Sequence, residues 1–256
     1  MIKKNDILNL IDKSGIKKGD NIFCHSNLTL FYNLDFPLSE LCETILIAFK
    51  EKLGEKGTLA VPMFSYDFCN NRVFNVKKIN SNTGSFSKYV YEKKSSSLYV
   101  DPNLSVAILG KNKIYLSKKP TTNSYSKNSF FDRFFKLNGK ICNINQDITS
   151  TFIHFFERKI NVKYRYDKNF YGVMKSKSKS FKRKSTIFVR YLDPNTKQCL
   201  KKLIKKSKKI TKKKLIKGNY TNVISLKNYF SLIKNNYKKD SNFLIKGKFY
   251  NPIKQI

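Results

Sequence analysis

Only two histidines occur in the 256-residue chain, and one of them stands in the run Thr151-Phe-Ile-His154-Phe-Phe-Glu157. A hydroxyl, an imidazole and a carboxylate at i, i+3 and i+6 fall along one face of a helix, so their side chains can converge. A carboxylate three residues from an imidazole fixes its tautomer and stabilises its charged form, as a general base requires. The same spacing also describes an ordinary amphipathic helix with a solvated His–Glu pair, and Thr151 is equally placed to cap that helix. The surrounding elements have to decide between these readings.

Those elements alternate. Asn5 is placed to cap a helix carrying Ile7, Leu8, Leu10 and Ile11, closed by Gly15. Strands are expected at 21–24, 57–62, 104–109 and 140–144, and helices from Ser39 to Leu53 and at 84–93, 130–137 and 151–157. Ser129 is the expected cap of the helix at 130–137. Alternating strands and helices imply an α/β fold, three-layered α/β/α around a mixed sheet. Beyond Tyr164 the pattern changes to two paired strands at 164–171 and 185–191, joined by a basic run at 175–184 that reads as a solvated connection. Helices near 196–206 and 226–238 follow, with a short strand at 222–225. No repeat or linker divides the chain, so 1–256 is expected to be one domain, with 173–256 its basic C-terminal part.

Composition sets further bounds. No stretch reaches the roughly 18 apolar residues of a membrane span, and the first residues lack the apolar core of a signal peptide. The five cysteines, Cys24, Cys42, Cys69, Cys142 and Cys199, are scattered, with no C-x-x-C pair. They read as reduced, mostly buried thiols of a cytoplasmic protein, without a metal site. The net charge of +35 is uneven: residues 1–172 hold 27 Lys/Arg and 15 Asp/Glu, whereas 173–256 hold 25 against two. Enrichment in Lys, Asn, Ile, Phe and Tyr throughout points to compositional bias, with attraction of anionic small molecules as a consequence.

Five segments in order resemble the aminoglycoside 3-N-acetyltransferase family: Gly19–Leu28, Gly57–Ser65, Asp101–Gly110, Gly139–Ile144 and Thr151–Glu157. The resemblance covers roughly residues 5–172 well and extends thinly beyond. It implies an N-acetyltransferase that uses acetyl-coenzyme A and works through a ternary complex. His154 would be the base, oriented by Glu157, and Thr151 would serve the developing oxyanion or the leaving thiolate. The strand-end residues His25, Ser26, Asn27 and Leu28 would line the coenzyme groove, together with Ser105, Val106 and Ala107. Tyr66, Asp67 and Asp147 are the polar groups expected to face the acceptor. Two positions depart from the family pattern. Asp101-Pro102 replaces the usual His-Pro, and Asn145 replaces a glycine after the strand at 140–144.

The expected partner is a small-molecule amine; homo-oligomerisation stays open, and neither a membrane nor nucleic acid is expected. Aminoglycosides are polycations, and this chain is short of carboxylates. An anionic acceptor such as a nucleotide-linked amino sugar, used in surface-glycan synthesis, therefore ranks ahead of antibiotic modification. A non-enzymatic nucleic-acid-binding role for 173–256 is the reading from another class, with Phe181, Phe188, Tyr191, Tyr220, Tyr229, Phe230 and Tyr237 as candidate stacking residues.

Overall fold

The computed structural model describes residues 1–176, 179–193, 196–247 and 249. In chain order the elements are α1 Lys4–Asp12, β1 Asn21–Ser26, α2 Leu41–Leu53, β2 Thr58–Phe64, β3 Phe74–Asn75, α3 Ser85–Tyr91, β4 Ser97–Tyr99 and β5 Leu104–Gly110. Then come α4 Lys113–Leu116, α5 Phe130–Lys136, β6 Lys140–Ile144, α6 Phe152–Lys159, β7 Arg165–Ser176 and β8 Lys179–Arg190. The chain continues through β9 Lys197–Gln198, α7 Lys201–Ser207, β10 Lys212–Ile216, β11 Asn219–Ser225, α8 Leu226–Lys239 and β12 Ile245–Lys246.

A seven-stranded mixed sheet in the order β10-β11-β6-β1-β2-β5-β4 forms the centre. β1 pairs in parallel with both β2 and β6, and the outer pairings are antiparallel. Alternate residues of each strand enter opposite layers, because side chains in a strand alternate faces. Ile22, Cys24, Leu59, Val61 and Cys142 pack with α1, α2 and α3. Phe23, Ala60, Val106, Ile108 and Ile141 pack with α5, α6 and α8. Helices on both faces produce the expected α/β/α layering. The C-terminal part contributes β11 to this sheet, and Ile224, Tyr229 and Ile233 to the same core.

The chain leaves β1 through α2 on one face to reach β2, while β6 arrives on the other side of β1. The carboxyl end of β1 is therefore a topological switch point, where the neighbouring connections diverge and leave a crevice.

Several boundaries move for local reasons. α1 starts after Lys3, not Asn5, because Asp6 Oδ2 accepts the Lys3 amide at 2.8 Å. Ser129 caps α5 as expected, its Oγ accepting from the Asp132 amide at 3.3 Å. The described residues of the basic run at 175–184 are mostly exposed, as expected, but they continue β7 and β8 instead of forming a loop, paired from Arg165–Arg190 out to Ser176–Lys179. Met174, buried against Phe68 and Phe74, carries the ribbon well past the segment where apolar alternation ends. Of the cysteines only Cys24 and Cys142 are buried; Cys42, Cys69 and Cys199 are partly exposed. Of the seven candidate stacking aromatics, Phe188 and Tyr229 are buried in the core and Phe230 and Tyr237 pack against it. Tyr191 stacks on Tyr166, and only Phe181 is largely exposed.

Candidate functional site

α6 is set by its aromatic face. Phe152, Ile153, Phe155 and Phe156 are buried against α5 and α8, which turns His154 toward a surface cavity. Glu157 is on the buried side with no exposure at all, an expensive place for a carboxylate unless it is paired. Three groups pair it. His154 Nδ1 lies 2.7 Å from Oε2, Arg165 Nε lies 2.7 Å from the same oxygen, and the Tyr164 hydroxyl donates to Oε1 at 2.9 Å. Burial alone pushes the Glu157 carboxyl up. The hydrogen bond and charge of His154, the Arg165 guanidinium and the Tyr164 hydroxyl outweigh it and hold the carboxyl below the usual range. An ionised Glu157 receives Nδ1–H and leaves the Nε2 lone pair of His154 as the basic position.

Thr151 has helical backbone angles and its hydroxyl does not cap α6. The Phe152 amide is taken instead by Ser150 Oγ, at 3.4 Å. The Thr151 side chain is thereby left to line two cavities. The larger, about 420 Å³, lies at the switch point and is bounded by His25, Ser26, Asn27, Leu28, Phe64 and Thr151, among others. The smaller, about 250 Å³, is bounded by His154, Thr151, His25, Gln146 and, from the C-terminal part, Gln198 and Leu200. Thr151, His25 and Gln146 border both, so the imidazole of His154 stands one residue contact from the larger cavity.

His25 Nε2 lies 3.1 Å from Ser150 Oγ, and the ring packs edge-on to Phe23. Burial pushes its pKa down to about 4, so the ring is neutral near pH 7. Asn27 Oδ1 accepts from the Thr29 amide and hydroxyl, which holds the turn after β1. Tyr66 adopts a positive φ of 55° at the mouth of β2 and is 43% exposed. Its ring packs edge-on to Phe64.

The remaining expected residues fall elsewhere. Ser105, Val106 and Ala107 are wholly buried within β5, and none borders either cavity. The Ser105 hydroxyl is spent on the Asp101 carbonyl at 2.6 Å, so these three do not form a groove wall. Asp67 is buried beside Ser65, and burial raises its carboxyl pKa. Asp147 is exposed and borders a third cavity on the far side of its loop. Asp101, the departure from His-Pro, closes a turn by accepting the amides of Asn103 and Leu104 and the Ser124 hydroxyl. Asn145 takes the left-handed conformation expected of it, φ 52°. Its amide also does something glycine could not: Oδ1 accepts the Tyr220 amide and Nδ2 donates to Asn219 Oδ1, at 2.8 and 2.7 Å.

Arg165, Tyr164, Gln146, Gln198 and the segment from Asn82 to Ser85, which borders the larger cavity, were not legible as site residues. A glycine directly before a helix, Gly84 with φ 94°, was the one available signal.

The fold is that of the N-acetyltransferases. A family model described as aminoglycoside 3-N-acetyltransferase matches residues 32–237, and the chain belongs to that family, whose co-substrate is acetyl-coenzyme A. The matched range begins after His25–Leu28. No curated protein sequence matches the chain. Among solved structures, aminoglycoside acetyltransferase AAC(3)-Xa superposes with a TM-score of 0.80 at 14% identity, covering 95% of this chain and 94% of that one. AAC-IIIb, in a binary complex with CoASH, gives 0.78 at 13% identity, covering 93% and 97%. AAC-VIa bound to sisomicin gives 0.77 at 14%, covering 93% and 98%. No helix among the described residues is long and apolar enough to cross a membrane.

Proposed function

We propose that this enzyme transfers the acetyl group of acetyl-coenzyme A to an amine of an amino-sugar acceptor, with His154 as general base. The observation that carries this reading is the fully buried, ion-paired Glu157 holding His154 Nδ1 where the two cavities meet. An acceptor amine is mostly ammonium at neutral pH and attacks only after losing a proton. Nε2 of His154 takes that proton, the amine nitrogen bonds to the thioester carbonyl carbon, the carbon–sulfur bond breaks, and the second proton lost by the nitrogen ends on the departing thiolate. Base assistance of this kind is worth about 10²–10⁴-fold. Thr151, with its hydroxyl free of capping duty, donates to the carbonyl oxygen as it gains charge or to the departing thiolate. The cavity at His25–Leu28 takes the coenzyme, and the one at Gln198 and Leu200 takes the acceptor. The reaction belongs in the cytoplasm, where acetyl-coenzyme A is available.

The family description, and a structural relative bound to sisomicin, support an aminoglycoside acceptor first. A second reading, an amino sugar carrying a negative group, is favoured by one observation: among the described residues no carboxylate borders either cavity to receive a polycation. The direct test of the base is His154→Ala. Turnover is expected to fall at least about 100-fold while acetyl-coenzyme A binding, measured by calorimetry, stays unchanged. Turnover close to that of the wild type would overturn the mechanism.

A further inference from the structure

Glutamine is rare in this chain: only Gln146, Gln198 and Gln255 occur, amid an abundance of lysine and asparagine. Two of these three border the cavity of about 250 Å³ that holds His154. They come from distant parts of the chain, Gln146 from the loop between β6 and α6 and Gln198 from β9. In both places the backbone is held while the side chain is left unspent. The buried Asn143 donates through Nδ2 to the carbonyls of Asp147 and Thr149, at 2.6 and 2.7 Å, and the Gln146 carbonyl accepts from Asn222 Nδ2 at 2.8 Å. Gln198 is paired with Ile245 of β12, and the next amide, of Cys199, donates to the Leu244 carbonyl at 2.9 Å. Neither glutamine side chain makes a hydrogen bond among the described residues. The other polar groups here are engaged: His25 with Ser150, His154 with Glu157, and Thr149 with the Asp147 carbonyl. Among the described residues no Lys, Arg, Asp or Glu borders the cavity.

We propose that Gln146 and Gln198 read the hydroxyls of the acceptor ring and so determine acceptor specificity, in favour of a sugar whose reacting amine is flanked by hydroxyls. The inference rests on the amino-sugar reading of the function and deepens it. A carboxamide accepts through its carbonyl, donates twice through its NH₂ and carries no charge. A ring hydroxyl both donates and accepts, so one carboxamide satisfies it. An ammonium group finds only the carbonyl there and no counter-charge, so each further ammonium brought into the cavity loses hydration without an ion pair in return. The volume is below the roughly 300–1,000 Å³ of sites that take drug-sized ligands, which suits a single sugar ring. With the backbone already held, the ordering cost of binding is confined to the two side chains. Gln146 borders the larger cavity as well, so its hydroxyl contact is the one beside the acetyl donor, whereas Gln198 borders the acceptor cavity alone.

The experiment compares the full chain with Gln198→Met, Gln146→Met/Gln198→Met and Gln198→Glu. Kinetics are measured with glucosamine, with glucosamine analogues each lacking one ring hydroxyl, and with sisomicin. For Gln198→Met the KM for glucosamine should rise about tenfold, with kcat and the KM for acetyl-coenzyme A unchanged; the double variant should lose more. One deoxy analogue should be about tenfold poorer than glucosamine with the wild type and no poorer with Gln198→Met, because the same contact is already gone. Gln198→Glu keeps the shape and adds a charge, so kcat/KM for sisomicin relative to glucosamine should rise about tenfold, an advantage that salt erodes. An unchanged glucosamine KM in the double methionine variant, or equal penalties for every deoxy analogue in wild type and variant, would overturn the assignment. A fall in kcat shared by all acceptors would overturn it too, by marking the glutamines as structural. Failure of the function is read separately: no acetyl transfer to any amine by the wild type would sink the enzymatic reading. Calorimetry of glucosamine binding to the wild type and to Gln198→Met would then still report on the amides.

Discussion

At the scale of single residues, the charge balance around Glu157 governs the site. A carboxylate that stabilises the imidazolium makes the ring a stronger base, but a lone buried one would leave less of the ring unprotonated at neutral pH. Arg165 shares the same carboxylate oxygen and offsets that pull. Arg165→Gln is therefore expected to move the acid limb of the kcat/KM profile to higher pH, with activity partly recovered in alkaline buffer. The same change should cost about 3–5 kcal/mol of stability, because it strips one partner from a buried ion pair. Arg165→Lys should restore part of both. A pH profile unmoved by Arg165→Gln would assign the guanidinium a purely structural role. Tyr164→Phe removes one hydrogen bond to a charged group, about 1.5–3 kcal/mol, and should leave the pH profile in place.

At the scale of elements, the end of β6 decides how accurately α6 is delivered. Asn145 is the hinge between them, and its amide ties the turn to β11 through Asn219 and Tyr220. Asn145→Gly keeps the left-handed backbone but loses both bonds. We expect a loss of about 1–3 kcal/mol, measured by urea denaturation, and a larger fall in kcat than in acetyl-coenzyme A affinity, since a small misplacement of the base costs rate. Stability equal to wild type would mean that the turn alone, not the side chain, matters. The ribbon β7–β8 behaves differently along its length. Replacing the exposed Lys182 and Lys184 with glutamine should leave acetyl transfer intact, whereas Met174→Ala opens the cluster with Phe68 and Phe74 and should cost about 2–5 kcal/mol.

At the scale of the whole molecule, acid sensitivity and salt response are the readouts. Desolvation of the partly buried His25 ring pushes its pKa from 6.5 down to about 4, so between these values the unfolded chain binds a proton that the native state refuses. Stability is thus full above pH 6.5 and falls by up to about 3 kcal/mol as pH drops to 4. Glu157, held below its ordinary 4.5, contributes stability above that value and loses it on further acidification. Thermal melts from pH 7.5 to 4 should show a steep decline that His25→Asn flattens above pH 4.5; parallel melting curves would contradict the burial of the ring. Affinity for an anionic acceptor should weaken with salt, and that for sisomicin should be unaffected or improve, since the field of a chain of charge +35 is screened within a Debye length of about 8 Å.

What the sequence determined by itself lies in local physics. Helical spacing set Thr151, His154 and Glu157 on one element, apolar runs bounded by glycine marked β1, β2, β5 and β6, and Ser129 marked the start of α5. The left-handed turn at Asn145 was also legible, because asparagine tolerates positive φ and few other residues do. Only the tertiary structure decided which residues meet. Arg165 and Tyr164 reach Glu157 because the chain reverses after α6, and no spacing rule encodes that reversal. Ser105, Val106 and Ala107 share an apolar run with residues that pack on both helix layers, and pairing between β2 and β4 buries them, which a linear pattern cannot distinguish from lining a groove. Asp147 and Gln146 are neighbours in sequence, yet a turn of the loop sends them to opposite cavities. Period and propensity act over a few residues, whereas the cleft is built by strand order and by buried charges finding partners across the fold.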